Sequence, residues 1–290
     1  MVNKIGYRKK TNCLVFFDSL THLVVSWPME VGMSYLFRDQ SWPLLEEHIA
    51  RQSLLILPIG TTEEHGPHLP VDTDARIAEA YGEQLARALI PNIPALLMDT
   101  IRYGYSMKIM TRWPGTIVVR SRVFMDMVFD VCKSVLDMGF NKLVVLDCHG
   151  HHSGLLNTVF REICDACGKS IAIISPAVLS RDEFNAVRKS QSGGAIHAGE
   201  WETSLLLYIS PEVVDMSKAT DEDIMRYHSD FVAGDNFLGR QRVTWSTWYL
   251  QESKTGIYGD PTVASVETGR IIMDAAVANG ARFLREFVSK

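Results

Sequence analysis

The stretch SLLILPIGTTEEHGPHLPVDTD, residues 53–74, joins a short apolar run to a loop that is crowded with acids and histidines. The apolar half, SLLILPI (53–59), has the length and continuous hydrophobicity of a strand that is buried on both faces of a sheet. The polar half places Glu63, His65 and Asp74 shortly after that run. Such side chains bind metal ions or transfer protons, so the stretch predicts a functional site where a buried strand ends.

Short apolar runs alternate with longer amphipathic segments along the rest of the chain. Strands are predicted at 53–59, 93–100, 142–147 and 170–175, and helices at 74–90, 121–138, 155–167, 201–209 and 262–287. This alternation indicates an α/β fold with a mostly parallel central sheet and helices on both faces. In such sheets, ligand sites lie beyond the carboxyl ends of the strands, which is where the acids and histidines of this chain occur.

Composition and charge argue against nucleic acid and membranes as partners of this protein. The 290 residues are 47% hydrophobic and 22% charged, with a net charge of -5. Because no basic run or stripe is present, nucleic acid is not an expected partner. No apolar run reaches the ~18 residues of a membrane span, so no membrane association is expected either. An odd number of cysteines, five in a long chain, is typical of a reduced, cytoplasmic protein.

The N-terminus differs from the rest of the chain. A basic start followed by CLVFF (13–17) resembles a signal peptide, but Asp18 and His22 interrupt the apolar region and no small-residue cleavage site follows. We therefore interpret residues 1–28 as an extension, which we expect to be poorly ordered, and residues 29–290 as a single domain. Met29 is an alternative to Met1 as the native start.

The loop after the first predicted strand supplies the first candidate ligands. Glu63 and His65 alternate along an extended segment, so their side chains point to the same side. Asp74 opens the next predicted helix. An acid at this position is also explained by the helix dipole, which favours negative charge in the first turn. Further histidines downstream favour a ligand role for Asp74.

Two later segments extend that set. LDCHGHHSG (146–154) places His149 just after a predicted strand, in a turn suited to surround a cation. AIHAGEWETSLLLYI (195–209) places His197 before a helix and Glu202 on the apolar face of that helix. A buried carboxylate is costly unless it is paired or bound to a metal. The side chains predicted to converge are therefore Glu63, His65, Asp74, His149, His197 and Glu202.

Oxygen and imidazole donors without thiolates suit Zn²⁺, Mn²⁺ or a mixed pair. Three carboxylates would offset much of the charge of two divalent ions, and one carboxylate can bridge both ions. A bridging water then loses its proton near neutral pH, and the resulting hydroxide attacks a carbonyl carbon. The ligand set thus predicts a dinuclear metal-dependent hydrolase.

With these residues in place, the sequence resembles the creatininase (creatinine amidohydrolase) family. The resemblance rests on PIGTTEEHGPHLPVDTD (58–74), YGYSMKIMTRWPGT (103–116), DCHGHHSG (147–154), HAGEWETS (197–204) and SKTGIYGDPT (253–262), in this order. It implies a three-layer α/β/α sandwich, two Zn or Mn ions per chain and a homohexamer built as a trimer of dimers. It also implies a division of roles: Glu63, Asp74 and His149 bind one metal, His65, Asp74 and Glu202 bind the other, and His197 handles the proton.

The third motif departs from the family pattern. The family has N-G-H-G-G-N or N-G-H-Y-E-N, whereas residues 147–152 are DCHGHH, so His151 occupies the position of a metal-binding glutamate. His151 is therefore either a further ligand or a residue that faces the substrate. No tryptophan lies between Ala177 and Ile196, where the family has the residues that close over creatinine. We therefore expect a small cyclic or amide substrate other than creatinine.

Two alternative functions stay open. The first is C–C hydrolysis that opens an oxidised inositol (dehydro-inosose) ring, because the same attack on a ring carbonyl can break the C–C bond beside it. The side chains predicted to contact the substrate are His152, Tyr105, Arg112 and Trp113. The second alternative, from another class, is a non-catalytic metal-dependent binding protein. The presence of His197 beside a full ligand set argues against it.

Overall fold

The central sheet has four parallel strands, and its first strand lies inside it rather than at an edge. The computed structural model describes residues 34–90, 92–169 and 171–290. The predicted extension, residues 1–28, and the choice between Met1 and Met29 lie outside the described residues and stay predictions. Residues 35–290 form one compact unit.

The strands run in the spatial order β2-β1-β3-β4. They are β1 (Leu54–Ile59), β2 (Ala95–Leu97), β3 (Lys142–Asp147) and β4 (Ala172–Ile174), with a separate antiparallel pair, β5 (Ala195–His197) and β6 (Tyr258–Gly259). The helices are α1 (Trp42–Ala50), α2 (Thr73–Leu89), α3 (Ser121–Asp137), α4 (Ser153–Cys167), α5 (Pro176–Leu179), α6 (Arg181–Val187), α7 (Glu200–Ile209) and α8 (Val266–Ser289). The predicted fold, an α/β sandwich with a mostly parallel central sheet, is confirmed.

The side chains of β1 divide between two hydrophobic cores because successive residues of a strand point to opposite faces. Leu54 and Ile56 join the core formed with α2, α7 and α8. Leu55, Leu57 and Ile59 join the core formed with α3 and α4. Every residue of β1 is buried, as its continuous apolar sequence predicts. The carboxyl end of this strand is therefore held from both sides.

The terminal helix begins later than the sequence pattern predicts. Pro261–Val263 forms a short 3-10 turn instead, with the Asp260 carboxylate accepting the Thr262 N–H at 3.0 Å. The helix α8 starts at Val266 after Ser265, whose hydroxyl accepts the N–H of Thr268 at 3.2 Å. Local capping bonds, not the apolar periodicity, set this boundary. Among the described helices, none combines the length and apolar character needed to cross a bilayer.

Gly60 lets the chain leaving β1 pass against the first turn of α2. A Cβ placed at Gly60 would lie 2.5 Å from the backbone nitrogen of Ala75 and 2.6 Å from the carbonyl carbon of Asp74. Backbone atoms at the start of a packed helix have little room to move. The absence of a side chain at Gly60 therefore fixes the distance between the loop after β1 and Asp74.

We expect Gly60→Ala to lower the free energy of unfolding by about 1–3 kcal/mol, because overpacking forces the start of α2 to shift. Urea unfolding at neutral pH measures this loss. Gly154→Ala is the matched control, since a Cβ there meets nothing within 4 Å. The control should be neutral or slightly more stable, as alanine is favoured over glycine in a helix. Equal unfolding midpoints for Gly60→Ala and the unmodified chain would contradict this interpretation of the close approach.

Candidate metal centre

The six predicted residues meet beyond the carboxyl ends of β1 and β3. The loop after β1 carries two of them, α2 carries one in its first turn, β3 is followed by one, β5 ends on one, and α7 carries the last near its start. In chain order they are Glu63, His65, Asp74, His149, His197 and Glu202, of which the first five are buried residues. The side chain of Glu202 is 17% exposed. The parallel sheet thus assembles one cluster from segments that are distant in sequence.

Asp74 lies between two histidines. Its Oδ1 is 3.3 Å from Nε2 of His65, and its Oδ2 is 2.8 Å from Nδ1 of His149. Each carboxylate oxygen therefore faces a different imidazole. This is the arrangement of a carboxylate that can be shared between two metal ions.

Glu63 lies close to three imidazoles, those of His149, His151 and His197. Its Oε2 is 3.6 Å from Nδ1 of His149 and 3.7 Å from Nδ1 of His197. Its Oε1 is 3.7 Å from Nδ1 of His151. Three groups with donor atoms within 4.8 Å of one another could each hold an ion: Glu63, His149 and His151; Glu63, His65 and His197; and His65, Asp74 and Glu202.

The donor atoms of this cluster are buried yet largely without hydrogen-bond partners. Among the described residues, the unpartnered atoms include both carboxylate oxygens of Glu63 and Nε2 of His149 and His151. A buried polar atom without a partner costs roughly 1–3 kcal/mol. A divalent cation bound by oxygen and imidazole donors would satisfy them, so the residues fit such an ion.

Backbone carbonyls orient two of the histidines. Nδ1 of His65 lies 3.0 Å from the carbonyl oxygen of Glu63, and Nε2 of His197 lies 2.8 Å from the carbonyl oxygen of Glu64. An N–H that donates to a carbonyl leaves the lone pair on the other ring nitrogen. That nitrogen is Nε2 in His65, which faces Asp74, and Nδ1 in His197, which faces Glu63.

Charges within the cluster shift the pKa values in opposite directions. Burial alone would lower the pKa of His149, but the carboxylates of Glu63 and Asp74 raise it to about 9. Burial opposes ionisation of Asp74, yet His65 and His149 hold its pKa below the usual range. At neutral pH the metal-free cluster therefore retains protons that a metal ion must displace, and metal binding should release them.

The position of His151 is compatible with both predicted roles, a further metal ligand or a residue that faces the substrate. Its Nδ1 faces Glu63 at 3.7 Å, and the Met107 N–H approaches the same nitrogen at 3.4 Å. The Trp248 ring meets the His151 ring edge-on, with centroids 5.2 Å apart. Burial lowers the pKa of His151 well below its usual value, and the neighbouring His149 and His197 lower it further. The ring is therefore neutral and can donate a lone pair.

A cavity of about 420 Å³ opens from the cluster. Its walls include Glu63, His149 and His197 from the cluster, and also Asp147, Trp201 and Trp248. Burial raises the pKa of Asp147 to about 7. The site residues predicted from the sequence did not include these last three. Trp248 lies in a segment without regular secondary structure, so the hydrophobic periodicity of the sequence could not predict its position.

The four residues predicted to contact the substrate lie elsewhere. His152 is fully buried, where it stacks on Phe124 with centroids 4.2 Å apart and accepts the N–H of Tyr105 at 3.1 Å. Arg112 pairs with the exposed Glu252 at 2.9 Å. The cavity wall includes none of His152, Tyr105, Arg112 and Trp113. Their predicted contacts with substrate stay predictions, without support from the shape of the cavity.

His68 ties the loop after β1 to α7. Its Nε2 is 3.0 Å from the hydroxyl oxygen of Thr203, and the residue is almost fully buried. Burial lowers the pKa of His68 to about 4, helped by His65 and His197 nearby. Between about pH 4 and pH 6.5 the ring is therefore neutral in the folded chain but protonated in the unfolded chain.

Acidification from pH 6.5 to pH 4 should therefore destabilise the fold through His68, because the unfolded state takes up the proton first. We expect the free energy of unfolding to fall by about 1–3 kcal/mol at pH 4 for this reason, with no such loss above pH 7. In His68→Gln that part of the pH dependence should disappear, as measured by urea unfolding at pH 4 and pH 8. The exposed His228 provides the control His228→Gln. An unchanged difference between pH 4 and pH 8 in His68→Gln would contradict the assignment.

Comparison with known proteins relates this site to others. Residues 38–284 match the family model Creatininase, described as creatinine amidohydrolase. The mycofactocin precursor peptide peptidase of Mycobacterium ulcerans is 30% identical over 246 residues, which cover 79% of this chain and 85% of that protein. The 3-dehydro-scyllo-inosose hydrolase of Thermotoga maritima is 23% identical over 284 residues, covering 90% and 86%.

A solved structure of the manganese form of creatininase shares the fold. It has a TM-score of 0.72 and 22% sequence identity, and the match covers 89% of this chain and 100% of that chain. At this level of identity, the likeness shows the fold alone. A mutant creatininase of Zn-Zn type has the same TM-score of 0.72, with 21% identity over 89% of this chain and 100% of that one.

Proposed function

The chain belongs to the creatininase family of hydrolases, and from this we propose that it hydrolyses a C–N bond of a small cyclic or amide substrate with the help of two divalent metal ions. The observation that carries the proposal is the position of Asp74, with one carboxylate oxygen toward His65 and the other toward His149. A shared carboxylate between two sets of donors is what a pair of metal ions requires. Zinc and manganese suit these oxygen and imidazole ligands.

In the proposed site, Glu63, Asp74 and His149 hold one ion and His65, Asp74 and Glu202 hold the other. When bound, such ions acidify a water molecule and polarise a carbonyl group. The donor atoms of both groups lie in one buried cluster, so a substrate carbonyl placed there is shielded from bulk water. His151 is available as an additional ligand of the first ion.

His197 is the proposed proton carrier. Its Nε2–H is directed at the Glu64 carbonyl, which leaves Nδ1 as the basic nitrogen on the side of Glu63. The same residue lines the cavity, so Nδ1 can take a proton from the attacking water and deliver it to the leaving nitrogen. The fixed ring orientation means that no rotation is needed between these two steps.

The names of two relatives suggest two classes of substrate, a peptide and an oxidised inositol. The peptidase among them acts on a peptide precursor by its name, which agrees with cleavage of an amide bond. Ring opening of an oxidised inositol is the second candidate, favoured by the inosose hydrolase that matches 90% of this chain. Both reactions place the attacked carbonyl beside the same metal cluster.

We expect protein purified without chelator to hold about two equivalents of zinc or manganese per chain, as measured by plasma mass spectrometry. Asp74→Asn should lose most of both ions, because it removes the shared ligand, whereas Glu63→Gln should lose mainly one. Metal removal should lower the thermal unfolding midpoint of the unmodified chain, since a ligand that binds only the folded state stabilises it. Metal removal should change the unfolding midpoint of Asp74→Asn very little, since this variant holds little metal.

Glu79→Gln is the control for these variants, because Glu79 is a surface residue of α2 that pairs with Arg102 at 2.6 Å, outside the cluster. It should keep the full metal content. If no metal is found, and if adding zinc or manganese to the purified chain gives no gain in stability, the metallohydrolase proposal fails.

His197→Gln should lower kcat by roughly 10²–10⁴-fold, the range that general acid–base catalysis contributes. The glutamine amide can still donate to the Glu64 carbonyl, so metal content should stay near that of the unmodified chain. The assay screens cyclic amides, short peptides and oxidised inositols, with His228→Gln as the control for a histidine outside the site. Full activity in His197→Gln would rule out the proton role, and loss of metal would make His197 a ligand instead. An intact metal site with no turnover of any substrate class would favour the non-catalytic binding protein.

A further inference from the structure

The cavity beside the metal cluster is lined by side chains of both charges. Its acidic lining residues are Glu63, Asp147 and Glu202, each of which is a cluster member or lies within two residues of one. The other lining residues include apolar side chains and one cationic side chain, Arg181. No other lysine or arginine of the described residues lines the cavity. The acids can be neutralised by metal ions, but nothing on the cavity wall neutralises Arg181.

Arg181 belongs to the first turn of α6 and has most of its donors to spare. Its Nη2 donates to the backbone carbonyl of Asn236 at 2.9 Å. That bond orients the side chain but does not neutralise it. Within the described part of the chain, no carboxylate lies within 4.0 Å of the guanidinium, and the residue is exposed. A guanidinium has five N–H donors in a planar fork that matches a carboxylate.

A second unused donor belongs to the same cavity wall. Trp201 is 6% exposed and lines the cavity, and its indole N–H has no acceptor among the described residues. The Trp201 ring stacks on Phe237, with centroids 5.7 Å apart and planes at 29°. Phe237 directly follows Asn236, whose carbonyl accepts from Arg181. One short segment therefore contacts both donor-bearing side chains.

We propose that the cavity binds a substrate carrying a carboxylate, which Arg181 holds, with the N–H of Trp201 as a second donor. The proposal rests on the proposed function, since it assigns a substrate class to the same site. Both groups are donors only, so they select an acceptor. A single arginine balances the one charge of a carboxylate, whereas phosphate groups usually require more positive charge. Pro176, Ile196 and Phe237 also line the cavity and would contact the apolar part of such a substrate.

Isothermal titration calorimetry of the zinc-loaded protein with succinate, glutarate and adipate tests this. Each is compared with its monoamide, which keeps one carboxylate for the metal ions and loses the charge at the other end. The length series is needed because the carboxylate must reach Arg181. We expect at least one dicarboxylate to bind about tenfold more tightly than its monoamide, the effect of one charge-assisted hydrogen-bonded pair near the surface.

In Arg181→Gln this preference should fall to about twofold or less, and Arg181→Lys should retain part of it because the charge remains without the fork. Trp201→Phe should weaken dicarboxylate binding by about threefold to tenfold while keeping a ring on Phe237. Arg122→Gln is the matched control, since Arg122 is an exposed arginine of α3 outside the cavity wall. It should bind every probe like the unmodified chain.

A preference that persists in Arg181→Gln would overturn the proposal, because the second carboxylate would then be bound elsewhere. Equal binding of all dicarboxylates and monoamides by the unmodified, metal-loaded chain would also overturn it, and would leave the hydrolase proposal intact. Failure of the hydrolase proposal is seen separately, as absence of metal by plasma mass spectrometry. The same titrations on such a metal-free chain still show whether Arg181 selects a carboxylate.

Discussion

The carboxylate of Asp74, buried between His65 and His149, is the interaction on which the site depends. Burying a charge without compensation is costly, and here several acids and imidazoles are buried together. The contacts at 3.3 Å and 2.8 Å compensate part of the cost, since the two imidazoles favour the ionised form of Asp74. The remaining unpartnered oxygens and nitrogens are atoms that a bound cation would satisfy. A cluster of this kind persists only if the surrounding fold keeps it from rearranging.

The two hydrophobic cores provide that support. Because the side chains of β1 alternate between the cores, the strand cannot shift by one residue without turning its whole set of apolar side chains to the wrong face. The loop that carries Glu63 and His65 starts at the end of this strand. Gly60 then brings the loop against the start of α2, next to Asp74. The register of the sheet therefore determines the distances between ligands that come from two separate segments.

The sequence was sufficient for the sheet and for the six clustered residues because both depend on local patterns. Continuous apolar runs predict buried parallel strands, and ligands follow strand ends in such sheets. The prediction that His152 contacts the substrate lacks structural support, because it depended on a turn geometry that the sequence does not show. His151 and His152 are adjacent in a 3-10 turn, so one faces Glu63 and the other faces Phe124. Without the turn geometry, neither could be assigned to the cavity.

The part of the cavity wall around Arg181 was beyond sequence analysis, since it depends on contacts between distant segments with little regular structure. Asp235 illustrates this. Its buried carboxylate pairs with Arg188 at 3.0 Å and accepts the N–H groups of Gly193 at 2.8 Å and Phe237 at 2.8 Å. These bonds join the segment after α6, the approach to β5 and the strip that contacts Arg181 and Trp201.

That arrangement separates the two tasks of the site. The strand ends and the first turns of α2 and α7 carry the candidate metal ligands, whereas irregular segments held by Asp235 form part of the cavity wall. Changes in those segments can alter the substrate without disturbing the sheet, which is how one fold serves several reactions. The different substrates named for the relatives of this chain are consistent with such a division. In this chain we propose that Arg181, a cation on the cavity wall, adds selectivity for a carboxylate to the chemistry of the cluster.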